Sequence, residues 1–261
     1  MSGGDDLRWR QRVSSGGGAL ASQRHRTLRG TTPPADALIA LGVAVLLIGG
    51  AAHGQTPPSA AEVAGYRGLH AAAAQGDVDA IRRLIRSGAD ADARDGNGRT
   101  PLHVAAFLGH PGAAQALLAG KADPDLLDDQ RYDAVTIAAV RDDVEVVRSL
   151  LAGGASARLI TSRYDGTALI AAAHLGHDGV VRALIGAGAP LDHVNNLGWT
   201  ALLEAIILGD GGPRHVETLR ALVQAGADVN LADRGGVTPL AHARQRGYVA
   251  MVESLRNAGA R

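Results

Sequence analysis

The stretch TPLHVAA, from Thr100 to Ala106, decides the fold of this chain because related stretches return along the rest of it. The equivalent apolar residues have spacings of 33, 33, 34, 33 and 38 residues and are Leu69, Leu102, Val135, Leu169, Leu202 and Leu240. A period of this length indicates a solenoid, since one unit cannot bury its own apolar face and must stack on its neighbours. We therefore expect about six stacked units.

A second marker keeps the same period. It is a Gly-Ala pair, found at residues 88–89, 154–155, 188–189, 226–227 and 259–260. Within a unit, Thr100 can cap a helix and Pro101 suits its first turn. The apolar stripe within residues 144–151 (VEVVRSLL) has helical spacing and predicts a second helix. The Gly of the Gly-Ala pair is suited to end that helix.

The stretch from Thr100 to Ala106 is similar to the ankyrin signature T-P-L-H-x-A, and the six copies resemble ankyrin repeats over residues 66–261. The resemblance implies an all-α solenoid of about six helix-turn-helix units with short hairpin loops. It also implies a monomer that binds another protein through its concave face of hairpin tips and first helices. Such a module would act as a scaffold, an inhibitor or a chaperone-like partner. The tract from Arg163 to His215 resembles a group of bacterial ankyrin proteins.

Composition argues against several other functions. The 26 basic and 26 acidic residues balance, so no basic field favours nucleic acid. The chain has no Cys, which excludes disulfides, thiolate catalysis and Cys zinc sites. No phosphate loop, nucleophile elbow or HExxH motif is present, and the His residues lack ligand spacing. We therefore expect no enzymatic activity, no cofactor and no metal ion.

Two alternatives remain beside protein binding. The first is an envelope protein that binds a small molecule or a metal ion. The second is an accessory subunit of an enzyme, which a cleft formed by Tyr164, His174 and Glu204 would favour.

The first 65 residues divide into three segments. Residues 1–36 are polar and without periodicity, so we expect no fold there, and a start codon placed too far upstream would explain them. Residues 37–54 hold an 11-residue apolar run, preceded by Arg and followed by small residues, as in a signal peptide with its cleavage region. Residues 55–65 then form a linker. These features predict a periplasmic or secreted protein. The alternatives are an inner-membrane anchor at residues 37–52, the only membrane contact that we expect, and a cytoplasmic protein.

Candidate partner-binding residues follow from carrying the ankyrin pattern over position by position. They lie on the hairpin tips and exposed first-helix positions of units two to six: Arg94, Asn97, Arg99, Phe107, Leu108, Gln130, Tyr132, Arg141, Arg163, Tyr164, His174, Leu175, Asn196, Leu197, Trp199 and Arg234. Four of the seven aromatic residues of the chain belong to this set, and binding hot spots are enriched in Trp, Tyr and Arg. The alternative is that some of these rings brace one hairpin against the next.

Two departures from the repeat pattern invite explanation. Glu204 occupies a position that is apolar in other units, and an unpaired buried carboxylate is costly. His242 occupies the same position of the next unit, so we predict a buried polar link between Glu204 and His242. The spacing of 38 reflects an insertion at Gly209–Pro213, which is either a tolerated surface loop or a docking feature.

Overall fold

The computed structural model describes residues 55–261, so the predictions for residues 1–36 and 37–54 lie outside the described residues. Residues 55–261 form thirteen α-helices and no β-strand, which confirms the all-α prediction. In chain order these are α1 (Ala60–Gly65), α2 (Gly68–Gln75), α3 (Val78–Arg86), α4 (Pro101–Leu108), α5 (Pro111–Ala119), α6 (Ala134–Val140), α7 (Val144–Ala152), α8 (Ala168–Leu175), α9 (Asp178–Gly186), α10 (Ala201–Ile207), α11 (Pro213–Gln224), α12 (Pro239–Gln245) and α13 (Val249–Asn257). None of these helices is both long and apolar enough to span a bilayer.

The helices from α2 to α13 form six pairs, one for each unit of the sequence repeat. Each first helix packs on the first helix of the next unit, in the order α2, α4, α6, α8, α10 and α12. The second helices form a parallel row in the order α3, α5, α7, α9, α11 and α13. The repeated apolar residues and the Ala pairs lie in one continuous buried core between the two rows. The solenoid of six units is therefore confirmed.

Caps at both ends explain the short, regular first helices. Thr100, Thr167 and Thr200 each precede a first helix and accept a hydrogen bond from the backbone N–H three residues on. This satisfies one of the orphan N–H groups of the helix start. Helices α4 and α8 end at Gly109 and Gly176, both in the left-handed conformation that glycine adopts without strain. The Thr and Gly caps thus end the first helices sharply and let the chain turn into the second helices.

Residues 55–66 contradict the prediction of a simple linker. Ala60–Gly65 form helix α1, and Ser59 and Glu62 form a capping box at its start. Pro58 is buried, and residues 55–66 contact the two hairpins that precede α4 and α6. We number each hairpin after the unit whose first helix follows it, so these are the second and third hairpins. We call residues 55–66 the strap. The prediction failed because a six-residue helix is set by its cap and by tertiary contacts rather than by an apolar period.

The insertion at Gly209–Pro213 lies between α10 and α11, where the sequence places it. It is followed by a second helix of 12 residues, against 9 in the other complete units. Tyr248 of the sixth unit donates a hydrogen bond to the Gly209 carbonyl oxygen at 2.8 Å. Arg214 reaches back to Asp142 of the third unit, with Nη2 2.7 Å from Oδ2. The insertion and the start of α11 therefore contact the sixth and the third unit on the side of the second helices.

Candidate functional site on the concave face

Each hairpin between units is closed by one polar side chain at the same repeat position. Asp95, Asp128, Asn195 and Asp233 each accept two backbone N–H hydrogen bonds, from the residues two and four positions further on. Ser162 holds this position in the fourth hairpin and accepts one such bond. One oxygen of each acid or amide is used in this way, so the second polar atom is left for another partner.

In the second hairpin, that partner is the strap. Asp95 Oδ2 accepts hydrogen bonds from Tyr66 Oη and from Arg99 Nε, both at 2.7 Å. Arg99 also forms an ion pair with Glu62 and donates to the Thr56 carbonyl oxygen at 3.3 Å. The Arg99 side chain is 2% exposed. This guanidinium therefore binds its own chain, and the prediction that it is free for a partner is wrong.

The ionisation of these groups fits a closed network. Burial alone would raise the pKa of the Asp95 carboxyl, but hydrogen bonds from Tyr66, Asn97 and Arg99 hold that pKa below its usual value. Burial would lower the pKa of Arg99, and its bonds to Asp95 and Glu62 raise it instead. Burial and the bond to Asp95 raise the pKa of the Tyr66 hydroxyl. Asp95 and Glu62 therefore share one guanidinium, that of Arg99, in this half of the concave face.

The strap also reaches the third hairpin. Gln130 Oε1 accepts a hydrogen bond from Thr56 N at 2.9 Å, and Gln130 Nε2 donates to Thr56 Oγ1 at 3.2 Å. Asn97 Nδ2 donates to Glu62 Oε1 at 2.7 Å. The candidate residues Asn97 and Gln130 are thus held by residues that the sequence analysis assigned to a linker.

Beyond the strap, the concave face opens into a cavity of about 280 Å³ across units three to five. We call this cavity the concave pocket. Five candidate residues line it, namely Tyr132, Tyr164, His174, Leu175 and Leu197. The structure therefore brings together residues from three successive units, although what they bind stays a prediction.

Sequence reasoning missed several other residues of the pocket. They are Gln55, Thr136, Val140, Thr161, Ile170 and Asn195. Asn195 could have been found, since it shares the hairpin position of the Asp residues and lies nine positions before Glu204. Gln55 could not, because its place depends on the path of the strap.

Glu204 also lines the concave pocket and is 4% exposed. Its Oε1 accepts a hydrogen bond from Asn195 Nδ2 at 2.8 Å, and its Oε2 lies 3.1 Å from His174 Nδ1. The predicted link between Glu204 and His242 is wrong. His242 Nε2 instead lies 2.7 Å from Oδ2 of Asp233.

The two residues of the mistaken link share one geometry. Each contacts the side chain nine positions earlier, in the hairpin of its own unit, and not its counterpart in the neighbouring unit. The chemistry complements in both cases, since the amide of Asn195 faces an acid and the acid Asp233 faces an imidazole. A polar link therefore ties the hairpin to the first helix of its own unit at both positions, and Glu204 also links its unit to His174 of the fourth unit.

Two aromatic candidates are buried and cannot present a surface to a partner. Phe107 is 2% exposed and belongs to the main core, while Trp199 is 7% exposed. Trp199 packs with Leu203 and Ile207 in a small separate apolar cluster. The alternative that such rings brace the structure holds for these two residues, and the prediction of a binding role is wrong for them.

The remaining candidates lie at the edges of the face. Arg141, Arg163 and Arg234 are exposed, and Leu108 is half-buried against the core. Two further exposed residues are tied to hairpin backbone. Arg94 donates to the carbonyl oxygens of Gly98 and Leu127, and Asn196 donates to that of Arg163.

Two buried ionisable groups support the first helices beneath this face. Burial lowers the pKa of His103 to about 4, and burial raises the pKa of Asp133 to about 6. His103 bonds the Tyr132 carbonyl oxygen through Nε2 at 3.0 Å, and Asp133 accepts from Thr136 N at 3.0 Å. Both are scaffold contacts. Among residues 55–261, no three His, Asp or Glu side chains are grouped so that they could hold a metal ion.

Comparison with known proteins decides the family. A family model of three ankyrin repeats matches overlapping ranges of the chain, at residues 40–128, 69–161, 105–195 and 135–233. The chain belongs to the ankyrin-repeat family. Ankyrin repeats generally mediate protein–protein interaction, and the fold is typically a non-enzymatic interaction module.

Individual ankyrin proteins resemble this chain to different extents. A crystal structure of an ankyrin repeat domain from Acinetobacter baumannii AYE is 44% identical, with a TM-score of 0.70 over 74% of this chain and 98% of that chain. The putative ankyrin repeat protein YahD of Escherichia coli K12 is 40% identical over 86 residues, which are 33% of this chain. The match spans only 43% of the length of YahD.

One further similar structure contains a complex. It is the predatory endopeptidase Bd0816 from Bdellovibrio bacteriovorus in complex with immunity protein Bd3460. The matched chain is 25% identical, with a TM-score of 0.61 over 74% of this chain and 98% of its own length.

Proposed function

We propose that this ankyrin protein is a non-enzymatic module that binds one other protein through the concave pocket and the residues around its rim. The observation that carries the proposal is the contrast within the concave face. The strap is bonded to the second and third hairpins, whereas across units three to five the described residues leave an apolar pocket in the concave face. Pockets with aromatic residues in their walls are typical of the hot spots of protein interfaces. In this role the protein would be a scaffold, an inhibitor or a chaperone-like partner of the protein that it binds.

One observation favours the alternative of an accessory enzyme subunit, but one group that such a site would need is not found. Tyr164, His174 and Glu204 do line one pocket, and the Glu204–His174 contact resembles a base with its orienting acid. A nucleophile is the missing part. Within residues 55–261, the His174 ring has a hydrogen bond to Glu204 alone. The hydroxyls of Thr136 and Thr161 in the pocket lining bond to each other, and that of Thr167 caps α8. Protein binding explains the pocket with fewer assumptions.

The proposed location is the periplasm or the cell exterior. It rests on the apolar run and the small residues of positions 37–54. A fusion of alkaline phosphatase to the C-terminus tests it, because that enzyme needs disulfides that form outside the cytoplasm. We expect active phosphatase from the full chain and none when residues 37–54 are deleted. Equal activity of the two fusions, or inactivity of both, would remove the proposal.

Photo-crosslinking in intact cells tests the binding surface. A photoreactive amino acid is placed at Arg163 or Asn196, both exposed at the pocket rim, and at Arg148 on the second-helix row as a matched control. We expect adducts of one common mass from the two rim positions and none from position 148. Leu197→Ala should reduce those adducts several-fold while lowering the melting temperature by only a few degrees. Equal adducts from position 148, or rim adducts indifferent to Leu197→Ala, would contradict the proposed face.

A further inference from the structure

Glu204 is the one acidic residue among those that line the concave pocket. The rest of the lining is apolar or uncharged, apart from the titratable imidazole of His174. Charged residues are seldom buried without a partner of opposite sign, since desolvation disfavours the charged form. A cation would therefore stabilise the Glu204 carboxylate, and a bound partner would be its source.

The contacts of Glu204 supply hydrogen bonds without supplying a fixed positive charge. A carboxylate offers about four lone-pair sites, and Asn195 and His174 use one on each oxygen. The bond to His174 requires only a proton on Nδ1, which an uncharged imidazole can carry. Within residues 55–261, no Arg or Lys forms an ion pair with Glu204.

The walls above the carboxylate match an aliphatic or cation-bearing chain. Tyr132 and Tyr164 contribute aromatic surface, and Ile170, Leu175 and Leu197 contribute aliphatic surface. Aromatic faces attract cations, and long basic side chains bury their methylene stems along apolar surface. The pocket volume of about 280 Å³ leaves room for one long side chain.

A second polar group of the pocket points to a peptide. Gln55 lines the pocket, and its buried Nε2 has no hydrogen-bond acceptor among residues 55–261. Buried donors without an acceptor are rare in native proteins, and a backbone carbonyl of a bound chain would supply one. The pocket thus offers an anion at Glu204 and an unused donor at Gln55, which complement a cationic side chain and the peptide that carries it.

We propose that the concave pocket receives a lysine or arginine side chain of the partner protein, with its charge on Glu204 and its stem between Tyr132, Tyr164 and Leu197. This inference rests on the proposed protein-binding function and adds the chemistry of the anchor. A lysine ammonium group would donate a hydrogen bond to one carboxylate oxygen, whereas an arginine guanidinium would donate to both.

A phage-displayed library of random dodecapeptides, selected on the full-length protein, tests the anchor. We expect enriched peptides to share one Lys or Arg, and the two residues to be told apart by the consensus. A synthetic enriched peptide should lose at least ten-fold in affinity when that residue becomes norleucine, which keeps the stem and removes the charge. It should lose as much on the Glu204→Gln protein, while the norleucine peptide should bind both proteins equally.

Matched controls separate charge from folding. Glu217→Gln removes an exposed acid of α11 and should leave peptide affinity unchanged. Glu204→Gln keeps the shape of the side chain and its acceptor for Asn195, so its melting temperature should stay close to that of the parent. The norleucine peptide is measured on the parent protein and decides the question even if Glu204→Gln fails to fold.

The outcomes distinguish the two proposals. Enriched peptides without a shared basic residue, whose binding Leu197→Ala still weakens, would overturn the cationic anchor and leave concave-face binding intact. Peptides that bind Leu197→Ala and Glu204→Gln as well as the parent would overturn both. A library without enrichment over an unrelated solenoid would also overturn both.

Discussion

The concave face has a strap half, at the second and third hairpins, and a pocket half, around the concave pocket. Each half contains an acidic side chain with little exposed surface, but the two acids have different partners. In the strap half, Asp95 is neutralised by the buried guanidinium of Arg99 and bonded by Tyr66. In the pocket half, Glu204 receives only the amide of Asn195 and the imidazole of His174. A charge that is fully paired within the chain serves the fold, whereas one left without a fixed cation can serve a partner. The comparison separates the structural half of the face from the half available for binding.

The largest test of this contrast is Arg99→Ala in the strap half. The change leaves the buried Asp95 carboxylate without its cation and releases Glu62, so we expect a loss of about 3–5 kcal/mol in the free energy of unfolding. Urea unfolding followed by circular dichroism measures it. Arg82→Ala, at an arginine whose side chain is 64% exposed, is the control and should change little. If Arg99→Ala were equally mild, the strap half would not be structural.

Trp199→Ala probes the boundary between structure and binding in the pocket half. Removing the buried indole leaves a cavity against Leu203 and Ile207, so we expect a loss of about 3 kcal/mol. Leu197→Ala in the same hairpin removes a half-buried side chain and should cost about 1 kcal/mol. The same urea titration compares them. A stable Trp199→Ala protein that no longer captured its partner would restore this tryptophan to the binding surface.

Two buried groups of the scaffold, His103 and Asp133, should also respond to acid in opposite directions. His103 has a folded pKa of about 4, below its ordinary value of about 6.5, so its contribution to stability is lost as pH falls from about 6.5 to 4. Asp133 has a folded pKa of about 6, above its ordinary value of about 3.9, so its unfavourable charge develops as pH rises from about 4 to 6.

Asp133→Asn isolates the second effect. Asn also caps a helix, so the variant should be about 2 kcal/mol more stable than the parent at pH 7 and nearly equal to it at pH 4. Thermal unfolding at a series of pH values measures the difference. A difference that did not grow between pH 4 and pH 6 would mean that Asp133 is not desolvated in solution.

The smallest expected effect concerns the strap itself. Glu62→Ala removes the ion pair with Arg99, the bond to Asn97 and the capping box with Ser59. We expect hydrogen exchange to become faster in residues 55–66, with about 1 kcal/mol or less lost from global stability. Glu145→Ala, which removes an exposed acid paired with Arg148, should leave exchange in the strap unchanged. Unaltered strap protection in Glu62→Ala would show that other contacts hold it.

The sequence predicted the solenoid well because its evidence is periodic. The repeated apolar residues and the capping Thr residues recur with the same period. The number of units and the first and second helix of each unit therefore follow from spacing alone. The pocket was partly predictable for the same reason, as Tyr164 and Leu197 occupy the same repeat position and Tyr132 lies two residues further along in its own hairpin. Burial of Trp199 was not predictable, because it depends on how the fifth hairpin packs on its own first helix.

The errors share a physical origin. The partner assigned to Glu204 was wrong since a repeat position does not state whether a side chain leans toward the next unit or toward its own hairpin. The strap was missed because it is not part of any period. Its contacts with Arg99 and Gln130 connect segments that lie far apart in the chain, and only tertiary structure brings them together.

The strap finally bears on the order in which this protein folds. Thr56 and Gln130 are separated by 74 positions, whereas contacts between units of a solenoid span about one repeat. Contacts with large sequence separation form late, since the intervening chain must first be ordered. Units one to three should therefore assemble before the strap docks on them. During synthesis, the segment that leaves the ribosome ahead of the solenoid would wait until the third hairpin has emerged to find its place.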